Sequence, residues 1–337
     1  MSLDVHPGGY TLKVIIPAAG EGTRLRPHTH SVPKALLYVA GKPILAHIVD
    51  QVVQLNPSEV TIIVGFLGSQ IVDFVKSEYD LNVRFVEQKE LLGLGYAILL
   101  GIEPEETEDI LVILGDTIVE TDWQSLLGRN QNVLGVKEVD EPQRFGNVEV
   151  KGTKITSIVE KPDNPESNLA AVGVYYIKDT KVLRNALEEV YNEGIRTKGE
   201  IQVTDAIQLL LDNGVELHAV SIDGWYDCGK RETMLQTNRH LLANLTDEGE
   251  HRNHSESVLI PPVYVAPDAV IERSIIGPNT SVAAGCVIRN SIISDSIISA
   301  GACVEDARLI SSLIGNNAVV NGSFKMLNVG DSSEISY

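Results

Sequence analysis

Between Lys13 and Lys34 the chain sets a short apolar run, a loop of small residues and a group of cations in close succession. Lys13-Val14-Ile15-Ile16 ends at Pro17 and reads as a buried parallel strand. Ala18-Ala19-Gly20-Glu21-Gly22-Thr23 follows at once. Small side chains let backbone N–H groups close around an anion, and a run of such groups makes an anion-binding nest. Arg24, Arg26 and Lys34 stand within reach of that nest. This is chemistry suited to the phosphates of a nucleotide.

Other charged residues follow apolar runs further along. Asp116 lies in Leu114-Gly115-Asp116-Thr117, and Asp227 in Trp225-Tyr226-Asp227-Cys228-Gly229. Two carboxylates meeting at one spot would hold Mg²⁺, a hard ion that takes few protein oxygens and completes its shell with phosphate and water. A single Asp at a strand end is as readily a turn or cap residue. Glu160-Lys161-Pro162 puts a cation at another strand end, where a solvated edge lysine is the plainer reading. Gln88 precedes the turn Gly93-Leu94-Gly95, whose amide and backbone groups could read a base edge or cap a helix. No Ser–His or Cys–His pair accompanies these groups. His28 and His30 read as structural or solvated, because two histidines make a poor metal site.

Gly20-Glu21-Gly22 also raises a dinucleotide-binding loop. That fingerprint wants a third glycine opening a helix and an acid after the second strand. Position 25 is Leu, Pro27 and Pro33 interrupt any immediate helix, and the second strand ends Val64-Gly65-Phe66.

These groups need a scaffold, and the sequence patterns describe one. Strands are expected over 60–64, 83–86, 110–114, 133–136, 155–159 and 172–177, and helices over 44–55, 70–79, 95–102, 180–191 and 230–244. The alternation predicts an α/β fold, a Rossmann-like, mostly parallel sheet with helices on both faces. Ligands bind such sheets at the carboxyl ends of the strands. Residues 245–257 read as a polar linker. Beyond it apolar residues return at Val265, Ile271, Ile276, Val282, Ile288, Ile293, Ile298, Val304, Leu309, Ile314 and Val320. This hexapeptide rhythm predicts a parallel β-helix. Ordinary antiparallel strands fit less well, since the segments are very short and no hairpin turn pairs separate them. The expected domains are therefore 11–245 and 258–330.

The net charge of −19 argues against nucleic-acid or anionic-membrane partners. No apolar run approaches the ~20 residues that cross a bilayer, and the N-terminal stretch lacks a signal peptide's apolar core. The three cysteines have no CxxC spacing, which suits the cytoplasm.

On these motifs the chain resembles the sugar-1-phosphate nucleotidylyltransferases, in the long form with a left-handed β-helix after the catalytic domain. The family pattern G-x-G-T-R-L followed by P-K appears as Gly20-Glu21-Gly22-Thr23-Arg24-Leu25 and Pro33-Lys34. Its E-K-P, G-E and W-x-D-x-G signals appear as Glu160-Lys161-Pro162, Gly199-Glu200 and Trp225 to Gly229. The resemblance implies that Ala18, Ala19, Gly20, Gly22 and Thr23 line a triphosphate loop, with Gln88 and Gly93 at the base. It implies that Arg24 grips departing pyrophosphate and Lys34 stabilises charge at the reacting phosphates. Lys161 would hold the sugar phosphate, Glu160 the sugar hydroxyls, Gly146 and Val172 the sugar pocket, and Asp116 and Asp227 the Mg²⁺. The implied reaction transfers a nucleotidyl group from a nucleoside triphosphate to a sugar 1-phosphate. It favours dTTP with glucose 1-phosphate and keeps UTP as the alternative, since Ala18-Ala19-Gly20 occurs in uridylyl relatives. A non-catalytic subunit that senses sugar nucleotides is the alternative from another class. No histidine follows His254 to serve an acetyltransferase, so the β-helix reads as structural. Its open ends suggest a homo-oligomer.

Overall fold

The computed structural model describes residues 11–245, 256–322 and 327–336. The polar linker read over 245–257 lies almost wholly outside them. Among the described residues two compact units emerge: one takes residues 11–20 and Ile48–Trp225, the other Glu21–His47 and the described residues from Tyr226 onward.

The first unit is built on a nine-stranded sheet. Leu12–Pro17 runs parallel between Glu59–Val64 and Asp109–Ile113, and Val83–Glu87 extends the parallel set at its edge. Val14, Ile16, Ile63, Leu111 and Val112 are fully buried, and Ile15 and Ile62 nearly so. Strands covered on both faces need no polar alternation, so these read as continuous apolar runs. Beyond Asp109–Ile113 the pairing becomes mixed. Leu169–Ile177 is antiparallel to both Asp109–Ile113 and Asn132–Glu138, and Leu217–Ser221 runs parallel to the latter. A hairpin of Gly146–Lys151 and Lys154–Glu160 closes that edge.

Two of these strands, Gly146–Lys151 and Leu217–Ser221, have no counterpart among the expected elements. Both mix half-exposed and polar residues into short runs, which weakens the apolar signal. The expected helices occur as Ile44–Gln54, Gly68–Glu78, Leu94–Gly101, Thr180–Asn192 and Arg231–Ala243. A further helix, Val203–Asp212, absent from the expected elements, buries Val203, Ala206, Ile207 and Leu210 on one face at helical spacing. Among the described residues no helix is long and apolar enough to cross a membrane.

The second unit contains a left-handed β-helix of three parallel sheets. Each coil contributes one short strand to each sheet, so core residues stack in columns. Ile276, Ile293 and Leu309 form one column; Val282, Ile298, Ile314 and Val329 form the second. Ile271, Ile288, Val304 and Val320 form the third. Buried serines make the corners. The Ser291 hydroxyl donates to the Arg289 carbonyl at 2.7 Å and accepts the Ala307 N–H of the next coil at 3.1 Å. Ser312 does the same with Ile310 and Leu327. A turning backbone leaves donors that the strand ladder cannot reach, and the hydroxyls satisfy them.

Residues 21–47 pack with this β-helix through the helix Arg231–Ala243. The buried Asn238 amide accepts from the Ala40 N–H at 2.9 Å and donates to the Asn279 carbonyl at 3.1 Å. Arg239 pairs with Asp295, and the Tyr264 ring lies on Gly41.

Replacing Ser291 by alanine strands a buried N–H at the corner. Ser291→Ala is expected to destabilise the β-helix by about 1–3 kcal/mol, read as a lower denaturant midpoint. An unchanged midpoint would show that the corner hydroxyl is dispensable.

Candidate active site

In the first unit the parallel strands end together. The Ala18 N–H donates to the Ile63 carbonyl at 2.8 Å, the Gly115 N–H to the Pro17 carbonyl at 3.0 Å, and the Gln88 N–H to the Val64 carbonyl at 2.8 Å. The backbones approach so closely that a Cβ on Gly65 would stand 2.6 Å from the Ala19 carbonyl oxygen, and one on Gly115 would stand 2.9 Å from the Ala18 Cβ. Ala18, Ala19 and Asp116 therefore share one edge of the sheet. The Asp116 carboxylate accepts from the Thr117 hydroxyl at 3.2 Å. Gly20 is exposed, and a Cβ there would meet nothing within 4 Å.

Gln88 is buried and its amide nitrogen lies 3.3 Å from the Gly93 carbonyl. Gly93 has φ +115° and sits against residues 200 and 201, where a Cβ would come within 2.5 Å of the Ile201 carbonyl. Glu160 pairs across the hairpin with Gly146. Its carboxylate accepts from Thr204 at 3.2 Å and pairs with Lys161 at 3.0 Å. Lys161 itself has a left-handed backbone, φ 43°, fixed by its N–H to the Phe145 carbonyl at 3.0 Å. Such a conformation in a lysine costs energy that the surroundings must offset. Val172 is buried within Leu169–Ile177.

In the second unit the remaining residues occupy two places. Gly22 adopts φ +63°, and its missing Cβ leaves room for Lys34 and Thr29: a Cβ would lie 2.9 Å from the Lys34 Cβ and 3.0 Å from the Thr29 methyl. The Thr29 hydroxyl donates to the Gly22 carbonyl at 2.9 Å. Thr23 and Arg24 open the short 3₁₀ turn Thr23–Leu25 and are exposed, while Leu25 beside them is buried. Asp227 ends the strand Gly224–Asp227, where its carboxylate accepts from the Gly229 N–H at 2.9 Å. A Cβ at Gly229 would stand 2.8 Å from that same oxygen, which explains the D-x-G spacing.

Asp116 and Asp227 are both half-exposed and offer hard oxygen donors of the kind Mg²⁺ takes. Among the described residues no group of three or more His, Cys, Asp or Glu is gathered as a metal cage. His28 is buried and bonded to Asn328, a structural histidine.

The nucleotidyl transferase family pattern matches residues 13–244. The chain belongs to that family. This nucleotidyl transferase is 31% identical over 275 residues to the glucose-1-phosphate thymidylyltransferase of Streptomyces antibioticus, covering 79% of this chain and 76% of that one. It is 32% identical over 265 residues to the bifunctional protein GlmU of Methanococcus maripaludis, covering 77% of this chain and 62% of that one. The chain thus spans less than two thirds of the GlmU relative's length. A solved UDP-glucose pyrophosphorylase complexed with UDP-glucose matches with a TM-score of 0.60 at 25% identity, over 68% of this chain and 98% of that one. These relatives are sugar-1-phosphate nucleotidyltransferases, as the motif from Gly20 to Lys34 indicated.

Two neighbours of Glu160 escaped the sequence reading, Thr204 and Asp205. An acid in the first turn of a helix reads as a partner of the helix dipole, so Asp205 carried no separate signal. Its Oδ1 accepts from the Thr197 hydroxyl at 2.9 Å, while Oδ2 is buried with no hydrogen-bond partner among the described residues. Burial pushes the Asp205 carboxyl above its ordinary value, and the charge of Glu160 adds to the rise. A carboxyl raised in the folded state favours folding below its unfolded value of 3.8 and loses that advantage as pH climbs through the folded value. Asp205→Asn is therefore expected to raise the thermal midpoint at neutral pH, with the gain fading in acid as wild-type Asp205 protonates. A pH series of melting curves checks both the sign and the fade.

Proposed function

We propose that this nucleotidyl transferase joins the thymidylyl group of dTTP to glucose 1-phosphate, releasing dTDP-glucose and pyrophosphate. The observation that carries the reading is the self-packing of the signature loop, in which Gly22, Thr29 and Lys34 touch while Thr23 and Arg24 face outward. That geometry supports a preformed cradle for phosphate oxygens. The open side of Gly20 supports close approach of a ligand to backbone N–H groups.

In this reading an ionised oxygen of the sugar phosphate attacks the α-phosphorus in line with departing pyrophosphate. No side-chain nucleophile or base is needed, because the attacking oxygen already carries charge. The obstacle is repulsion between two polyanions. At an effective dielectric of ~20, one charge pair at ~4 Å is worth about 4 kcal/mol, so a few cations decide whether the reactants can meet. Arg24 would hold the leaving pyrophosphate, Lys34 the charge at the reacting phosphates, and Lys161, aimed by Glu160, the sugar phosphate. Asp116 and Asp227 would hold Mg²⁺, whose charge neutralises phosphate oxygens. Gly146 and Val172 would border the sugar.

The buried Gln88 amide suits the edge that thymine and uracil share, so UTP is the second reading, and Ala18-Ala19-Gly20 favours it. One methyl separates the bases and is worth only ~1–3 kcal/mol in a pocket. The coverage of the Streptomyces thymidylyltransferase supports dTTP. Presence of all five charged residues, Arg24, Lys34, Lys161, Asp116 and Asp227, supports an enzyme over a non-catalytic sensor. We assign the catalytic part to 11–245 and a structural part to 258–330, in a cytoplasmic homo-oligomer.

A matrix of dTTP and UTP against sugar 1-phosphates, read as pyrophosphate release, should show dTTP with glucose 1-phosphate as the fastest pair. A faster reaction with UTP would transfer the assignment to uridylyl transfer, and binding without turnover would favour the sensor. Lys34→Ala should lower kcat/KM by about 10²-fold with an unchanged melting curve. Asp227→Asn should raise the Mg²⁺ concentration needed for half-maximal turnover; a wild-type metal titration would remove Asp227 as a ligand.

A further inference from the structure

The last coil of the β-helix lies on the signature loop. Its strand Asn328–Val329 runs parallel to Leu313–Ile314, and the Gly315 N–H donates to the Val329 carbonyl at 2.8 Å. Asp331 at the following corner is anchored to the previous coil, accepting the Asn316 N–H on Oδ1 at 2.7 Å. Three residues at this corner then meet the loop between Arg24 and Lys34. The Asn328 side-chain oxygen accepts from His28 Nε2, and Asp331 Oδ2 accepts from the Ser31 hydroxyl. Between them Gly330 lies flat on Pro27, so that a Cβ would come within 2.8 Å of the proline ring.

The setting of His28 disfavours a charged imidazole. Burial pushes its imidazole below the ordinary value, opposed by the Asn328 hydrogen bond and by the charge of Asp331. An amide oxygen can only accept, so Nε2 carries the proton. Thr29, the next residue, donates to the Gly22 carbonyl, and Gly22 packs on Lys34. The β-helix corner is thus connected, contact by contact, to the stem of Lys34 and to the turn that presents Arg24.

We propose that Asn328, Gly330 and Asp331 are positioning residues for the nucleotide: the terminal coil fixes Pro27, His28 and Ser31, and thereby the spacing of Arg24 and Lys34. The proposal rests on the reading of residues 18–34 as a phosphate loop. It gives the β-helix a part in turnover while leaving it no chemistry of its own.

The full-length Gly330→Ala variant is the direct test. Its φ lies outside the left-handed region that resists a side chain, so the added methyl acts mainly on Pro27. A reacting group displaced by ~1 Å can cost about 10²-fold in rate. We expect a fall in kcat/KM for dTTP of that order, carried by a raised nucleotide KM and a lowered kcat, with the KM for glucose 1-phosphate unchanged. Asp331→Asn keeps the volume and the Asn316 contact but presents an amide donor to Ser31, and should act in the same direction. His28→Gln, which retains an N–H near Nε2, should rescue much of what His28→Ala loses. Wild-type nucleotide KM and kcat in Gly330→Ala and Asp331→Asn would overturn the proposal, as would losses that only track the unfolded fraction. Amide exchange over residues 22–36, measured without nucleotide, separates this inference from the functional reading. Faster exchange in Gly330→Ala together with an inert wild type would refute the phosphate loop and retain the clamp. Unchanged exchange would refute the clamp.

Discussion

Backbone can press against backbone at the ends of the parallel strands because Gly65 and Gly115 carry no side chain. The carbonyl of Ala19 and the methyl of Ala18 occupy the space their Cβ atoms would need. This close approach fixes where the chain leaves the first strand and sets Asp116 beside that exit. The same economy of volume recurs at Gly22, where a left-handed turn lets Lys34 and Thr29 close on the loop. Small residues here serve as geometry. Each lets a charged neighbour stand at a defined distance from a stretch of main chain.

Within each unit the charged side chains are held by short polar contacts. Glu160 is tied to Thr204 and Lys161, and Asp227 to the Gly229 N–H. Orienting a carboxylate or ammonium before a ligand arrives reduces the reorganisation that would accompany binding. Asp205 is the exception, with one buried oxygen that finds no partner among the described residues. An unsatisfied polar atom costs stability.

The β-helix contributes order of a different sort. Stacked columns of isoleucine and valine, with serines at the corners, give a stiff rod whose coils differ little from one another. Residues 21–47 borrow that stiffness. Before the helix that begins at Ile44 they have little regular structure of their own, three 3₁₀ turns and a pair of two-residue strands, so their conformation depends on what they pack against. Asn238, Tyr264, Asn328 and Asp331 supply that support.

The sequence alone determined the features that repeat or are local. All of the apolar β-helix positions named from the six-residue rhythm are fully or almost fully buried except Val265, which is half-buried. The parallel strands were legible because burial on both faces leaves an unbroken apolar run, and the D-x-G spacing is a two-residue contact. Tertiary structure decided the rest. The pairing of His28 with Asn328 and of Glu160 with Thr204 joins residues far apart in sequence, and such contacts leave no period or motif. It also decided that the segment carrying Arg24 and Lys34 folds with the β-helix, because a loop without a strong local preference takes its shape from whichever surface buries it.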